Sequence, residues 1–282
     1  MIDLTEIRNA FAEFESIDPL GEPSGQKFVF LAKKAGADPV VLKVIKPATV
    51  GPQRMNRELE AAVRVQSPHV PSGLDSGSRL VAGVDVAYLI EEYVPGQTLK
   101  DYLALHGALS LEQTLGFGRQ LLAAACDFET ASLVHRDVKP ANIIVSPEGT
   151  LWVLDFGIVR LLDDVSLTAT SAPVGPCTPG YASPEQMRNR KESIDIRADL
   201  YSIGIVMHEM ITGRNSYVEK AKDMIHLLQI TQAEDLPRLR NVPPAVADLI
   251  DALSARFPSR RPATATDALA WIDEVISTVV GA

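Results

Sequence analysis

Two charged clusters flank a short hairpin signal, and this arrangement limits the chain more than any other feature of its 282 residues. The first cluster is His135-Arg136-Asp137-Val138-Lys139-Pro140-Ala141-Asn142. The second, Asp155-Phe156-Gly157, begins 13 residues after Asn142. Between them, residues 142–154 read as two short strands turning at Ser146-Pro147-Glu148-Gly149. Taken singly, these residues have ordinary readings, because an aspartate often caps a turn. In this order, and joined by a hairpin, they read as one site carrying carboxylates, a carboxamide and a lysine.

The remaining pattern is strand-rich first and helix-rich afterwards. Residues 27–33 and 39–45 are short and rich in β-branched and aromatic side chains, with the turn signal Ala35-Gly36-Ala37-Asp38-Pro39 between them. From Arg54 to Val65, Leu59, Ala62 and Val63 recur at helical spacing. Strands follow at about 80–94 and end at Pro95-Gly96. Helices are expected over 98–106, 111–131, 197–213, 243–256 and 263–279. The expectation is an α+β fold in two lobes, about 1–94 and 95–282, joined near Tyr93–Gly96.

Composition narrows the function classes. Hydrophobic residues at 46% can fill a sizeable core. The net charge of −9, with no basic stripe, argues against nucleic acid as the main partner and is the ordinary charge of a solvated surface. With two cysteines, Cys126 and Cys177, there is no disulfide framework, and a reducing compartment is the default. No stretch approaches the roughly 20 apolar residues of a membrane span. The N-terminus has no signal-peptide pattern. A soluble, cytoplasmic protein is therefore expected.

The two clusters match the catalytic loop and metal-binding triplet of protein kinases. Over about residues 20–280 the chain resembles the Hanks-type (eukaryotic-like) Ser/Thr protein kinases of bacteria and eukaryotes. The resemblance implies the two-lobed kinase fold, with ATP in the cleft and a protein substrate offering a Ser or Thr hydroxyl. Phosphoryl transfer needs positioning and neutralisation of dense negative charge. By resemblance, Asp137 orients the attacking hydroxyl and accepts its proton, while Lys139 reaches the γ-phosphate. Asn142 and Asp155 are hard oxygen ligands suited to Mg²⁺, or to Mn²⁺ in its place.

The resemblance extends into the first lobe. Lys43 matches the strand lysine that binds phosphate. It is favoured over Lys46 because Val40, Leu42 and Val44 alternate against it. Glu58 matches its helix partner, whereas Glu60 lies about 200° away round the helix. Glu92 and Val94 match the hinge whose backbone pairs with adenine. Phe28 and Val41 are expected above the adenine ring and Ile144 below it. Ser183-Pro184-Glu185 stands where the family has Ala-Pro-Glu, with Arg261 as the glutamate's partner and the adjacent Arg260 as the rival. Asp199 matches the aspartate that braces the catalytic loop. Thr178 is expected against Asp137 and Lys139. Arg136 calls for an anion, and phosphate on Thr168 or Thr170, with Ser171 as the rival, would supply it through autophosphorylation in trans within a homodimer.

Two departures from the family pattern bear most on the nucleotide site. The glycine-rich loop Gly-x-Gly-x-x-Gly-x-Val retains Gly21 and an early Gly25, but Pro23 and Gln26 replace the other glycines. Proline also removes a backbone donor. Glu91 occupies the gatekeeper-like position, where the family carries an apolar or small residue. The altered loop keeps a pseudokinase or nucleotide-sensing scaffold as the alternative function. A small-molecule kinase fits less well, given Lys139-Pro140 and the long segment that ends at Ser183-Pro184-Glu185.

Overall fold

The computed structural model describes residues 2–21, 27–45, 65–155, 178–188 and 194–280. Helix α1 (Leu4–Ala10) opens on a capping box: the Glu6 amide donates to Asp3 Oδ1 (2.9 Å) and the Asp3 amide donates to Glu6 (2.8 Å). Strands β1 (Ser16–Pro19), β2 (Lys27–Lys33), β3 (Val40–Ile45), β4 (Gly73–Val81) and β5 (Val84–Glu92) form an antiparallel sheet in the order β1-β2-β3-β5-β4.

Period-two alternation gives this sheet two different faces. One face buries Phe30, Leu42, Val44, Val86, Tyr88 and Ile90 beneath Ile7 and Phe11. Arg79 holds α1 on that face. Its guanidinium lies 4.2 Å from the Phe11 ring centre and bonds Glu13 (2.7 Å) and the Ala10 carbonyl (3.0 Å). The other face carries Val29, Leu31, Val41, Lys43, Leu89 and Glu91.

The helical part begins beyond the turn at Pro95-Gly96. It contains β6 (Gln97–Thr98), α2 (Leu99–His106), α3 (Leu111–Thr130), β7 (Ile143–Val145) and β8 (Leu151–Val153). It continues with α4 (Pro184–Met187), α5 (Arg197–Thr212), α6 (Ser216–Lys220), α7 (Met224–Ala233), α8 (Pro244–Leu253) and α9 (Ala265–Val279). Helix α5 is buried without a break from Ala198 to His208, as befits a helix apolar on all sides. It packs against α3 and α8 in a core with Leu121, Phe128, Leu249 and Ile272.

The structure is α+β as expected, with a β-sheet lobe and a helical lobe. Two differences from the sequence reading are informative. The strand segment read at about 80–94 is the β4–β5 hairpin, which turns at Ala82-Gly83 with φ of 51° and 78°. Its first strand starts at Gly73 in a polar stretch with little strand signal. Helix α1 and strand β1 were not anticipated, being too short to show a period. The helix read from Arg54 to Val65 lies, apart from Val65, outside the described residues. Among the described residues, no helix is long and apolar enough to cross a membrane.

A buried ion pair ties the end of the chain to α4. Arg261 Nη1 donates to Glu185 Oε1 (2.6 Å) and Nη2 donates to Oε2 (3.1 Å), while Nη1 also serves the Arg197 carbonyl (2.8 Å). Arg261 is the buried arginine, and Arg260 is exposed over Phe257. Removing one partner strands a buried charge, which costs about 3–5 kcal/mol. Arg261→Met should therefore lower the unfolding free energy in urea by about that amount. Arg260→Met should change it by no more than about 0.5 kcal/mol.

Candidate active site

The start of α5 holds the 135–142 segment in place. Asp199 is fully buried and accepts from the backbone amides of His135 (2.7 Å) and Arg136 (2.8 Å). Burial raises its pKa above the ordinary carboxylate value, although these amides and the charge of Arg136 work in the opposite direction. Arg136 has φ of +70°, a left-handed conformation that costs a non-glycine residue energy, and the bonds from Asp199 help to offset it. The Asp137 amide donates to His135 Nδ1 (3.2 Å), so the ring proton sits on Nε2 and donates to the Leu154 carbonyl (2.8 Å). His135 thereby couples the segment to the residue preceding Asp155.

Asp137 lies in a compact polar triangle. The Thr178 hydroxyl donates to Asp137 Oδ1 (2.7 Å) and accepts from Lys139 Nζ (2.7 Å), which also meets Asp137 Oδ2 (2.7 Å). Asn142 Nδ2 donates to Asp137 Oδ2 (2.8 Å) and to the Asp137 carbonyl (3.0 Å). The amide nitrogen of Asn142 is thus spent on Asp137, which leaves its carbonyl oxygen as the available ligand. The Leu154 amide donates to the Asn142 backbone carbonyl (2.8 Å), so the hairpin sets Asp155 beside Asn142.

Four charges meet between the sheet and Asp155. Lys43 Nζ pairs with Glu91 Oε2 and lies 3.0 Å from Asp155 Oδ1, and Lys27 Nζ pairs with the same Asp155 oxygen. Burial alone would lower the Lys43 pKa, but the Glu91 and Asp155 carboxylates outweigh it and hold the ammonium above the ordinary lysine value. Burial would raise Asp155, but Lys43 and Lys27 hold it well below the ordinary carboxylate range. Burial lowers Lys27, with Asp155 offsetting only part of the effect. Asp155 has φ of +65°, a second strained residue fixed by strong contacts.

Asp155 and the Asn142 side-chain oxygen Oδ1 are hard oxygen donors, and the carboxylate is kept ionised, so this pair suits a small divalent cation. Among the described residues, no group of three or more His, Cys, Asp or Glu side chains could hold a metal ion. Two protein ligands, with phosphate oxygens and water completing the shell, is the usual way of holding Mg²⁺.

The positions of the expected cleft residues call for one correction. Val41 is on the Lys43 face, directly opposite Glu91. Ile144 is half-buried in β7 opposite Thr98, Val94 is buried, and Glu92 is exposed with its amide donating to the Ser72 carbonyl (2.9 Å). Phe28 is not on the cleft face. It pairs with Val44 and stacks on Phe30 (6.3 Å between ring centres) against the core under α1. Val29, directly opposite Lys43, occupies the place expected of Phe28. The cause is one extra residue: Val29 follows Gly21 by eight positions, where the glycine-loop pattern allows seven.

Gly21 closes β1 with φ of +74°. Gly25, Glu58, Thr168, Thr170 and Ser171 lie outside the described residues. Among the described residues, Glu91 and Asp155 are the carboxylates that meet Lys43. Sequence reasoning missed Lys27, whose only signal is its alternation with Val29 and Leu31 once the β2–β3 register is known.

The protein kinase domain family matches residues 14–271. The chain is similar to a probable serine/threonine-protein kinase of Clostridium perfringens, with 30% identity over 269 residues, covering 93% of this chain and 38% of that protein. It is also similar to the serine/threonine-protein kinase PrkC of Bacillus subtilis, with 33% identity over 218 residues, covering 76% and 32%. A probable serine/threonine-protein kinase, PknB, of Bifidobacterium longum is 40% identical over 166 residues, covering 57% and 24%. The chain thus spans between 24% and 38% of the length of these relatives.

Gly96 sets how closely the connection between the lobes approaches Ile144. Its φ is +148°, and a Cβ there would lie 2.4 Å from the Val145 carbonyl oxygen and 2.7 Å from Ile144 Cγ2. Gly96→Ala should force β6 away from β7 and lower stability by about 1–3 kcal/mol in urea unfolding. Unchanged stability would mean that the connection adapts freely.

Proposed function

The chain belongs to the protein kinase family, and we propose that it is a serine/threonine kinase that uses Mg²⁺ and ATP to phosphorylate protein hydroxyls. The observation that carries this reading is the hydrogen bond from the Thr178 hydroxyl to Asp137 Oδ1, beside Lys139. An aliphatic hydroxyl already donates to the carboxylate that the reaction needs, next to a cation able to neutralise a transferring phosphoryl group. Lys43, Asp137, Asn142 and Asp155 are all present, which favours turnover over a nucleotide-sensing scaffold.

In this reading the substrate hydroxyl takes the place of Thr178 on Asp137. Its oxygen forms a bond to the γ-phosphorus as the bond from that phosphorus to the bridging oxygen of ADP breaks. The hydroxyl proton passes to the Asp137 carboxylate. Lys139 stabilises charge on the γ-phosphoryl, and Lys43 holds the other phosphates. Asn142 and Asp155 would hold Mg²⁺, which neutralises phosphate charge when bound. Val41, Val29 and Ile144 would flank adenine, with the backbone of Glu92 and Val94 at its edge. Autophosphorylation at Thr168 or Thr170, or at the rival Ser171, between two copies of the chain would regulate turnover.

Labelled Mg-ATP tests the reading. Wild-type protein should transfer label to serine or threonine of itself or a general protein acceptor, and chelation of the metal should stop the transfer. Asp137→Asn should reduce the rate by about 10²–10⁴-fold while leaving Mg-ATP affinity nearly unchanged, because it removes the charge that accepts the proton and keeps the side chain's shape. Retention of wild-type rates by that variant would contradict the role given to Asp137. Phosphopeptide mapping against the same variant would show whether Thr168, Thr170 or Ser171 carries the label.

A further inference from the structure

Asp155 is met by two ammonium groups. Lys27 opens β2 and pairs with Ile45, two residues along from the Val29–Lys43 pair, so Lys27 and Lys43 share a face. The Lys27 side chain is only 13% exposed, unlike an ordinary surface lysine, and it ends on the same Asp155 oxygen as Lys43.

Three observations give Lys27 a purpose. The first is charge balance. Glu91 adds a buried anion where the family carries an uncharged side chain, and Lys27 adds a cation, so Lys27, Lys43, Glu91 and Asp155 together are neutral. Without Lys27 the quartet would present net negative charge to a polyphosphate. The second is reach. Lys27 ends on the Asp155 carboxylate, so a divalent cation that shares this carboxylate would bring its bound phosphate within reach of the ammonium. The third is composition. The segment leading into Lys27 includes Pro23, which has no N–H, so it offers one backbone donor fewer for phosphate.

We propose that Lys27 is a second nucleotide-phosphate ligand, working beside Lys43 and compensating for the backbone donor that Pro23 removes. The proposal rests on the kinase reading above. Glu91 takes one side of Lys43, and Lys27 supplies the positive charge that this pairing withdraws from the phosphates.

Calorimetric titration of the full chain with Mg-ATP, Mg-ADP and adenosine tests the proposal. Lys27→Met should weaken Mg-ATP and Mg-ADP by about tenfold, the loss of one charge-assisted contact, and leave adenosine within about twofold. Lys27→Arg should keep Mg-ATP within about threefold of wild type. Lys27→Gln carries the comparison if thermal melting shows that Lys27→Met does not fold. Three results would overturn the proposal: unchanged Mg-ATP affinity, equal loss for adenosine and Mg-ATP, or tighter Mg-ATP binding. The last would make Lys27 a latch on Asp155. Failure of the wild-type chain to bind any nucleotide would overturn the kinase reading and this proposal together. Wild-type binding with an indifferent Lys27→Met would overturn the Lys27 proposal alone.

Discussion

Everything in the cleft depends on a buried lysine that is kept charged. Lys43 is 3% exposed, and an isolated ammonium at that depth would be costly. It is tolerated because Glu91 approaches from the neighbouring strand and Asp155 from the end of the hairpin. Glu91 belongs to the sheet and Asp155 to the helical part of the chain, so the same charges that stabilise Lys43 also draw the two parts together across the cleft. A polyphosphate entering there meets cations already oriented by carboxylates, which lowers the reorganisation that binding requires.

The opposite wall is held largely by hydrogen bonds to the backbone. Asp199 fixes two consecutive amides, His135 links the Asp137 amide to the Leu154 carbonyl, and Asn142 braces the Asp137 side chain. These contacts hold Arg136 and Asp155 at positive φ, where residues of their size rarely rest. The strain falls on either side of the hairpin that carries Asn142. Glu185 and Arg261 anchor the far end of the same region, below Gln186, whose Nε2 donates to the Arg136 carbonyl (2.7 Å).

Local pattern revealed much of this in the sequence. The hairpin between Asn142 and Asp155, the long helices and the strands at β2 and β3 announced themselves through turn residues and periodicity. Thr178 against Asp137, Asp199 beneath the loop and Arg261 against Glu185 were expected from matched positions, and the structure brings each pair together. Properties that depend on register were not legible. One extra residue after Gly21 turned Phe28 away from the cleft and put Val29 there. The partnership of Lys43 with Glu91 crosses from β3 to β5, and nothing within either strand's sequence reports it. Lys27 was hidden for the same reason. Helix α1 and strand β1 span too few residues to show a period, and their stability comes from Arg79 and the apolar face they cover.

The central claim is that Glu91 and Lys43 form a buried, energetically coupled pair. A double-mutant cycle on urea unfolding measures it most directly, using Lys43→Met, Glu91→Gln and the double variant. The account predicts a coupling energy of about 1–3 kcal/mol, with the double variant losing less stability than the two single losses combined. Single losses that add to within about 0.5 kcal/mol would contradict it, and would mean that Glu91 does not hold Lys43 in solution.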